Sequence, residues 1–124
     1  MEQNNYDLED RVIDFAVLIL DIAESLPTTR TGNHIAGQLI RCGTAPAPNY
    51  GEAQSAESRK DFIHKIKIVL KEVRETNVWL KIISRKGMTS DIDMIKRALC
   101  ECDELSRICG KSVHTAKSHD ESRT

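Results

Sequence analysis

Apolar residues recur at alternating spacings of three and four along several long stretches of the chain, and this rhythm constrains the fold more than any other feature. It places apolar side chains on one stripe of an α-helix, where they can pack against neighbouring helices. Aromatic residues make up only 4% of the 124 residues, which disfavours a sheet. The chain is therefore expected to be all-α. The apolar seam of the first helix consists of Leu8, Val12, Phe15, Ile19, Ile22 and Leu26.

Local signals divide the chain into four helices, of which the second is interrupted. Helix 1 covers about residues 6–26 and ends before Pro27. Helix 2 follows after a short loop and contains Pro46 and Pro48. Because proline lacks the backbone N–H that a helix needs, we expect helix 2 to be kinked or broken near residues 44–48.

Helices 3 and 4 are longer and carry their own seams. Helix 3 covers about residues 59–86, with Ser58 as its N-cap and Gly87 as the residue that ends it. Helix 4 covers about residues 91–113, with Ser90 as its N-cap. The expected seams are Phe62, Ile66, Val69, Val73, Thr76, Leu80 and Ile83 in helix 3, and Ile92, Ile95, Leu99, Cys102, Ser106, Cys109 and Val113 in helix 4.

Short loops between these long helices predict neighbours that run in opposite directions. We therefore expect an antiparallel up-down four-helix bundle in a single domain at residues 1–114. Residues 115–124 are polar and have no apolar rhythm, so they are expected to form a disordered tail.

Composition and motifs argue against several functional classes. The formal net charge of −1 disfavours a general polyanion binder, and no apolar run reaches the roughly 18 residues of a membrane span. No phosphate-binding loop or catalytic triad pattern is found, so no catalytic residue, cofactor or metal is expected. Cys100 and Cys102 point in opposite directions on a helix and cannot share an ion. Without a signal sequence or a disulfide pattern, the protein is expected in the reducing cytoplasm.

Helix 1 carries more apolar surface than a single seam requires. A second stripe lies beside the first and consists of Ile13, Ala16, Leu20 and Ala23. Surplus apolar surface of this kind predicts a homo-oligomer interface, whereas the alternative is an unusually wide core.

Charge is distributed unevenly between two helices. The acidic stripe of helix 1 is interrupted by Val17 and consists of Asp7, Asp10, Asp14, Asp21 and Glu24. The basic stripe of helix 3 is interrupted by Val78 and consists of Lys60, His64, Lys67, Lys71, Arg74, Lys81 and Arg85. The basic stripe has three interpretations: a solvated face, a partner for acidic helix 1 within or between subunits, or a contact with a nucleic-acid backbone.

One polar group is expected to face inward. The inward seam of helix 2 consists of Ile35, Leu39, Cys42 and Pro46. If helix 2 kept its phase beyond the prolines, Asn49 would continue this seam, flanked by Arg41 and Glu52. A buried asparagine must find hydrogen-bond partners and can fix the register of a bundle. These three residues are therefore a candidate structural polar network.

Several short motifs resemble a known family, the four helix bundle proteins, also called 23S ribosomal RNA intervening-sequence proteins. That family has a Gln-Leu-x-Arg segment, then Asn-x-x-Glu-Gly, a Ser-x-x-Glu-Phe helix start and a Leu-x-Glu. Here Ala53 replaces the usual glycine and Asp61 the usual glutamate. The matching residues are Gln38-Leu39-Ile40-Arg41-Cys42-Gly43-Thr44, Asn49-Tyr50-Gly51-Glu52-Ala53, Ser58-Arg59-Lys60-Asp61-Phe62, Leu70-Lys71-Glu72 and Glu75.

The resemblance, which covers about residues 6–110, implies a homopentamer of four-helix protomers without catalytic activity. Some members of the family are encoded inside insertions in ribosomal RNA genes, and related proteins bind nucleic acid through a basic pentamer surface. The expected function is therefore a self-assembling interaction scaffold. The alternative is a ribosome-associated module that binds ribosomal RNA or another nucleic acid through the basic face of helix 3.

Overall fold

The computed structural model describes the backbone of residues 2–123 and the side chains of residues 8–119. This part of the chain is all-helical and contains no strand. None of its helices is both long enough and apolar enough to span a membrane. Its five helices are α1 (Glu2–Ser25), α2 (Arg30–Thr44), α3 (Pro46–Gln54), α4 (Arg59–Lys86) and α5 (Ile92–Arg123).

Side-chain caps and a glycine fix the ends of the central helices. The Thr29 hydroxyl accepts a hydrogen bond from the Gly32 N–H at 3.1 Å, which caps α2. The Ser58 hydroxyl accepts one from the Asp61 N–H at 3.0 Å, which confirms the expected cap of α4. Gly87 ends α4 as expected, because its φ of 69° is a left-handed conformation that only glycine adopts readily.

The cap of α5 differs from the expectation. Instead of Ser90, the carboxylate of Asp91 accepts a hydrogen bond from the Met94 N–H at 3.1 Å. The Thr89 hydroxyl accepts one from the Asp91 N–H at 3.2 Å. The helix therefore begins one position later than the sequence suggested, at Ile92.

The second predicted helix is divided at Ala45, inside the region where the prolines predicted an interruption. Pro46 stands at the first position of α3, where its missing N–H costs no helical hydrogen bond. Ala45 keeps a right-handed helical conformation, with φ of −64° and ψ of −34°. The division thus breaks the hydrogen-bond ladder over one residue, while a bend of the axis stays a prediction.

The core follows the predicted seams of α1 and α4 closely. In α1 the seam residues from Val12 to Leu26 are buried, and in α4 those from Ile66 to Ile83 are buried. Thr76 is the one polar member, and its hydroxyl donates to the Glu72 carbonyl at 2.8 Å within the same helix. These seams meet in one apolar core that spans all five helices.

The seam of α5 is rotated relative to the prediction. Ile92 is 54% exposed, and Leu99 is only partly buried. Ala98 and Leu105 are fully buried instead. The correction has a geometric reason: α5 packs against both α1 and α4, so its buried stripe is wider and centred between the two neighbours.

The last helix is also longer than expected. It extends to Arg123, so residues 115–119 are helical where we expected a disordered tail. This end of α5 lies beside the start of α4, since Phe62 and Ala116 line the same surface groove. Residues 120–124 of the predicted tail lie outside the described side chains, and the domain boundary at residue 114 stays a prediction.

Each helix has a defined set of neighbours. Both α1 and α4 contact α2, α3 and α5. Within the described residues, however, the backbones of α1 and α4 do not approach one another. These two helices therefore occupy opposite corners of the helix assembly, and their outward faces point away from each other.

Candidate assembly and nucleic-acid surfaces

A strip of large apolar side chains on α1 is left outside the core. Val17 is 52% exposed, Ile13 is 46% exposed and Leu20 is 39% exposed. Their spacing of four and three places them on one face of the helix. We call Ile13, Val17 and Leu20 the α1 apolar strip. Ala16, which was predicted to belong to this surface, is partly buried beside it.

The fourth predicted interface residue lies inside the protomer. Ala23 is only 7% exposed and belongs to the core. It lies four residues after Ile19, which packs against Gly43 of α2, so the adjacent helix covers it. Sequence reasoning missed Ile40 of α2, which is 40% exposed; its position off the seam of helix 2 could have indicated this.

The outward side of α1 is acidic. Asp14, Asp21 and Glu24 are exposed and Asp10 is partly exposed, whereas Asp7 lies outside the described side chains. The one basic residue of α1, Arg11, is turned towards α5 instead.

Arg11 is bound there in a two-pronged ion pair. Its Nε donates to Glu101 Oε2 at 2.9 Å, and its Nη2 donates to Oε1 at 2.8 Å. These hydrogen bonds to Glu101 raise the pKa of Arg11 above its ordinary value. The pair removes the only positive charge of α1 from the outward face.

The outward side of α4 is basic, as the sequence predicted. Val78, in the middle of the stripe, is 56% exposed. Lys67 lies close to Lys117 of α5, and a side-chain hydrogen bond with Lys117, together with its charge, lowers the pKa of Lys67. All seven members of the predicted basic stripe are exposed: Lys60, His64, Lys67, Lys71, Arg74, Lys81 and Arg85.

Two of the three acidic residues of α4 are turned away from this stripe. Arg41 of α2 forms ion pairs with Glu72 and Glu75, and Trp79 Nε1 donates to Glu75 Oε2 at 3.2 Å. The ring of His34 meets Trp79 edge to face at 6.2 Å. This cluster joins α2 to α4 and leaves the outward face of α4 positively charged.

Sequence reasoning placed Arg41 in a different cluster, and the structure does not bring that cluster together. Asn49 is partly buried and donates to the Ala45 carbonyl of its own helix at 2.9 Å. Glu52 pairs with Lys65 of α4 at 2.8 Å. The backbone keeps its helical phase through Ala45, and the buried stripe of α2 continues through Pro46, Tyr50 and Ala53 of α3. This stripe leaves Asn49 at its edge and turns Arg41 and Glu52 outward, each towards a different partner on α4.

The four cysteines are free thiols in two environments. Cys100 is exposed, whereas Cys42, Cys102 and Cys109 are buried. Burial raises the pKa of Cys102 to about 12 and that of Cys109 to about 11, and it also raises the pKa of Cys42. Among the described residues, no group of three or more His, Cys, Asp or Glu side chains could hold a metal ion.

Comparison with known proteins agrees with this architecture. The chain is similar to a crystal structure of a protein of unknown function from the S23 ribosomal protein family of Bacteroides thetaiotaomicron, with 28% identity and a TM-score of 0.77. That match covers 85% of this chain and 96% of the other. No curated protein matches the chain. The sequence model of the 23S rRNA-intervening sequence proteins matches residues 4–111. The chain therefore belongs to the 23S rRNA-intervening sequence protein family.

Proposed function

We propose that this protein is a non-enzymatic interaction scaffold whose copies assemble into a homopentamer through the α1 apolar strip. The observation that carries the proposal is the exposure of Ile13, Val17 and Leu20 beside a core that is complete without them. Large apolar side chains grouped on one helix face are typical of protein interfaces. The number five comes from the resemblance to the family and is the part of the proposal that a mass measurement tests directly.

The proposed protomer is an antiparallel up-down four-helix bundle in which α2 and α3 together form one kinked rod. Cross-helix contacts support this arrangement. Arg11 of α1 meets Glu101 of α5, while Ser25, at the end of α1, meets Thr89, which lies just before the start of α5. The two helices thus run in opposite directions.

The same argument supports opposite directions for the rod of α2 and α3 relative to α4. His34 meets Trp79, Arg41 pairs with Glu75, and Glu52 pairs with Lys65. As the chain advances along α2 and α3, its partners on α4 therefore come from progressively earlier positions.

The absence of catalysis is part of the proposal. The caps at Thr29 and Ser58 and the ion pairs between neighbouring helices are polar contacts of a structural kind. The buried thiols are held in the protonated form, which is a poor nucleophile. We also place the protein in the cytoplasm, where free thiols persist.

Light scattering coupled to size-exclusion chromatography, together with native mass spectrometry, tests the assembly. The wild-type chain of 14.0 kDa is expected to elute as a species of five copies at micromolar concentration. A Val17→Glu, Leu20→Glu variant is expected to shift to monomer, because a charge in an apolar interface loses its water without a partner. A monomeric wild type refutes the proposal.

A control variant separates the interface from apolar exposure in general. Ile92 is 54% exposed at the start of α5, away from the α1 apolar strip. Ile92→Glu is expected to leave the oligomer intact. Circular dichroism of all variants checks that helix content is retained.

The second candidate is a ribosome-associated module that binds ribosomal RNA through the basic stripe of α4. The observation that favours it is the exposure of all seven stripe residues along a helix of 28 residues, roughly 40 Å long. Phosphate contacts by such a stripe give an affinity that falls steeply with salt. Filter binding of ribosomal RNA at low and moderate salt measures this. A Lys67→Glu, Lys71→Glu, Arg74→Glu variant is expected to lose binding and most of the salt dependence.

The matched control reverses three exposed cations on α5, Lys96, Arg97 and Lys111, to glutamate. It changes the net charge by the same amount on another face. If both triple variants weaken binding equally, the α4 stripe is not a specific contact surface.

A further inference from the structure

The two charged faces of the chain are complementary but cannot meet within one copy. Residues 2–25 contain seven acidic residues and one basic residue, whereas residues 59–86 contain nine basic residues and three acidic ones. Because α1 and α4 occupy opposite corners and their backbones do not approach, an ionic match between them within one subunit is excluded. The acidic face of one molecule therefore fits the basic face of another.

Intramolecular ion pairs sharpen both faces. Arg11, the one base of α1, is bound to Glu101 of α5 at 2.8 Å. Glu72 and Glu75, two of the three acids of α4, are bound to Arg41 of α2. Thus α1 turns its one base, and α4 two of its three acids, towards a neighbouring helix, so that one sign of charge predominates on each outward face.

The two faces also match in apolar character and in spacing. Each has an exposed valine at its centre, Val17 with 52% exposure and Val78 with 56% exposure. The acids of α1 lie seven and three residues before Val17 and four and seven after it. The bases of α4 lie seven and four residues before Val78 and three and seven after it. When the two helices are aligned on these valines, each of the four acids lies within one residue of a base, which is an offset of about 1.5 Å along the helix axis.

On the basis of the proposed self-assembly, we infer that α1 of one copy packs against α4 of the next, with Val17 against Val78. The contact is head to tail, because each copy uses its acidic face on one neighbour and its basic face on the other. All copies of a ring point the same way along its axis, and α1 and α4 run in the same direction in an up-down bundle, so the two helices pair in parallel. The ion pairs are Asp10 with Lys71, Asp14 with Arg74, Asp21 with Lys81, and Glu24 with Arg85.

The positions of the exposed apolar side chains on α1 and α4 favour a closed ring over a straight filament. On α1, Leu20 and Ile13 lie on the side next to Ala16 and Ala23, which is the side that faces α2. On α4, Ile82, which is 40% exposed, lies three residues after Trp79, again on the side that faces α2. Both contact surfaces lean towards α2, so successive copies meet at an angle and the chain of contacts curves back on itself.

Charge reversal tests the pairing. Two double variants each reverse the charge of one face: Asp14→Lys with Asp21→Lys, and Arg74→Glu with Lys81→Glu. For each variant, the concentration at which half of the protein is assembled is expected to rise at least tenfold, because like charges then face one another. The variant that carries all four changes keeps the net charge of the wild type and is expected to regain assembly. Analytical ultracentrifugation over a concentration series measures the half-assembly concentration of each variant. The control variant reverses the charge of two cations of α5, by Lys96→Glu with Lys111→Glu, and is expected to leave the half-assembly concentration unchanged.

A cysteine pair tests which surfaces touch. In a Cys100→Ser background, a chain with both Val17→Cys and Val78→Cys is expected to give, on oxidation, a disulfide-linked ladder that ends at the number of copies in the ring. Chains with only one of the two cysteines are expected to stay monomeric on a denaturing gel. Dimers formed by Val17→Cys alone would mean a face-to-face contact and would overturn the inference.

The outcomes separate this inference from the proposed function. If the wild type is a monomer, both the proposed self-assembly and the inferred contact are refuted. If the oligomer is unaffected by every charge reversal, or if the fourfold variant does not regain assembly, only the inferred α1–α4 contact is refuted. Loss of ribosomal RNA binding by Arg74→Glu with Lys81→Glu while the oligomer persists would also overturn it, because the basic stripe would then face RNA and not a neighbouring copy.

Discussion

Gly43 of α2 packs directly against Ile19 of α1, and replacing it by alanine should destabilise the protein. A Cβ at this position would lie 2.4 Å from Ile19 Cγ2 and 2.9 Å from Ile19 Cβ. Gly37, six residues earlier on the same helix, has no heavy atom within 4 Å of the corresponding point. The two alanine variants therefore share the gain in helix propensity but differ in packing.

The magnitude follows from two opposing contributions. Alanine in place of glycine stabilises a helix interior by about 1 kcal/mol, so Gly37→Ala should raise the free energy of unfolding by about 0.5–1 kcal/mol. Overpacking a core costs about 1–3 kcal/mol. At Gly43 the upper half of that range applies, because Ile19 is fully buried and its Cβ cannot move by a change of rotamer. Gly43→Ala should therefore lower the free energy of unfolding by about 1–2 kcal/mol.

Urea unfolding followed by circular dichroism measures both variants, at a single protein concentration because assembly links stability to concentration. In an Ile19→Ala background, Gly43→Ala should lower the free energy of unfolding by about 1 kcal/mol less than it does in the wild type, since the two side chains are in direct contact. Equal stability of the Gly43→Ala and Gly37→Ala variants would refute the packing argument.

Other predictions concern the thiols and the ion pair of α1. A thiol reagent should label Cys100 within minutes in the native protein, and Cys102 and Cys109 only on unfolding; fast labelling of all thiols would contradict the buried positions. Above pH 9 stability should fall, because unfolded thiols ionise while burial keeps the pKa of Cys102 at about 12 and that of Cys109 at about 11. Each thiol should contribute a slope of about 1.4 kcal/mol per pH unit, and a variant with both changed to alanine should lose that part of the slope in pH-dependent urea unfolding. Arg11→Ala should cost about 1 kcal/mol, and an additional Glu101→Gln change should cost little more, as a double-mutant cycle would show.

Much of the fold could be predicted because α1 and α4 have unambiguous apolar seams. From Val12 to Leu26 and from Ile66 to Ile83, the seam recurs at unbroken three-four spacing and a charged stripe lies on the opposite side, so the buried face is defined even though further apolar residues lie beside it. The caps and the glycine terminus of α4 are local signals that need no knowledge of the partner helices.

The seam of α5 was not determined by its own sequence. Residues 92, 99, 106 and 113 form one possible stripe with Cys102 and Cys109, while Ala98 and Leu105 form another with the same cysteines. The choice depends on where α1 and α4 lie. Alanine is a weak indicator of burial because it is common on both faces of a helix, and Ala23 was misplaced for the same reason.

The surfaces were predictable in charge but not in detail. Exposure of the basic stripe of α4 follows from its position opposite the seam. The predicted network of Arg41, Asn49 and Glu52 did not form, because Asn49 donates to its own helix and the two charged side chains each pair with a different residue of α4. The helical phase gives the direction of each side chain, but only the packing against α4 decides which residues these side chains meet.

The separation of charge between α1 and α4 gives the molecule a large electric dipole moment despite a formal net charge of −1. Two approaching chains therefore exert torques on one another and rotate into alignment before they touch, which accelerates productive encounters at low ionic strength. A single unassembled chain should be retained by both anion- and cation-exchange resins near its isoelectric point of about 6.4, because each resin binds a different side of the same molecule. Its behaviour in salt is therefore governed by how its charges are arranged and not by their sum.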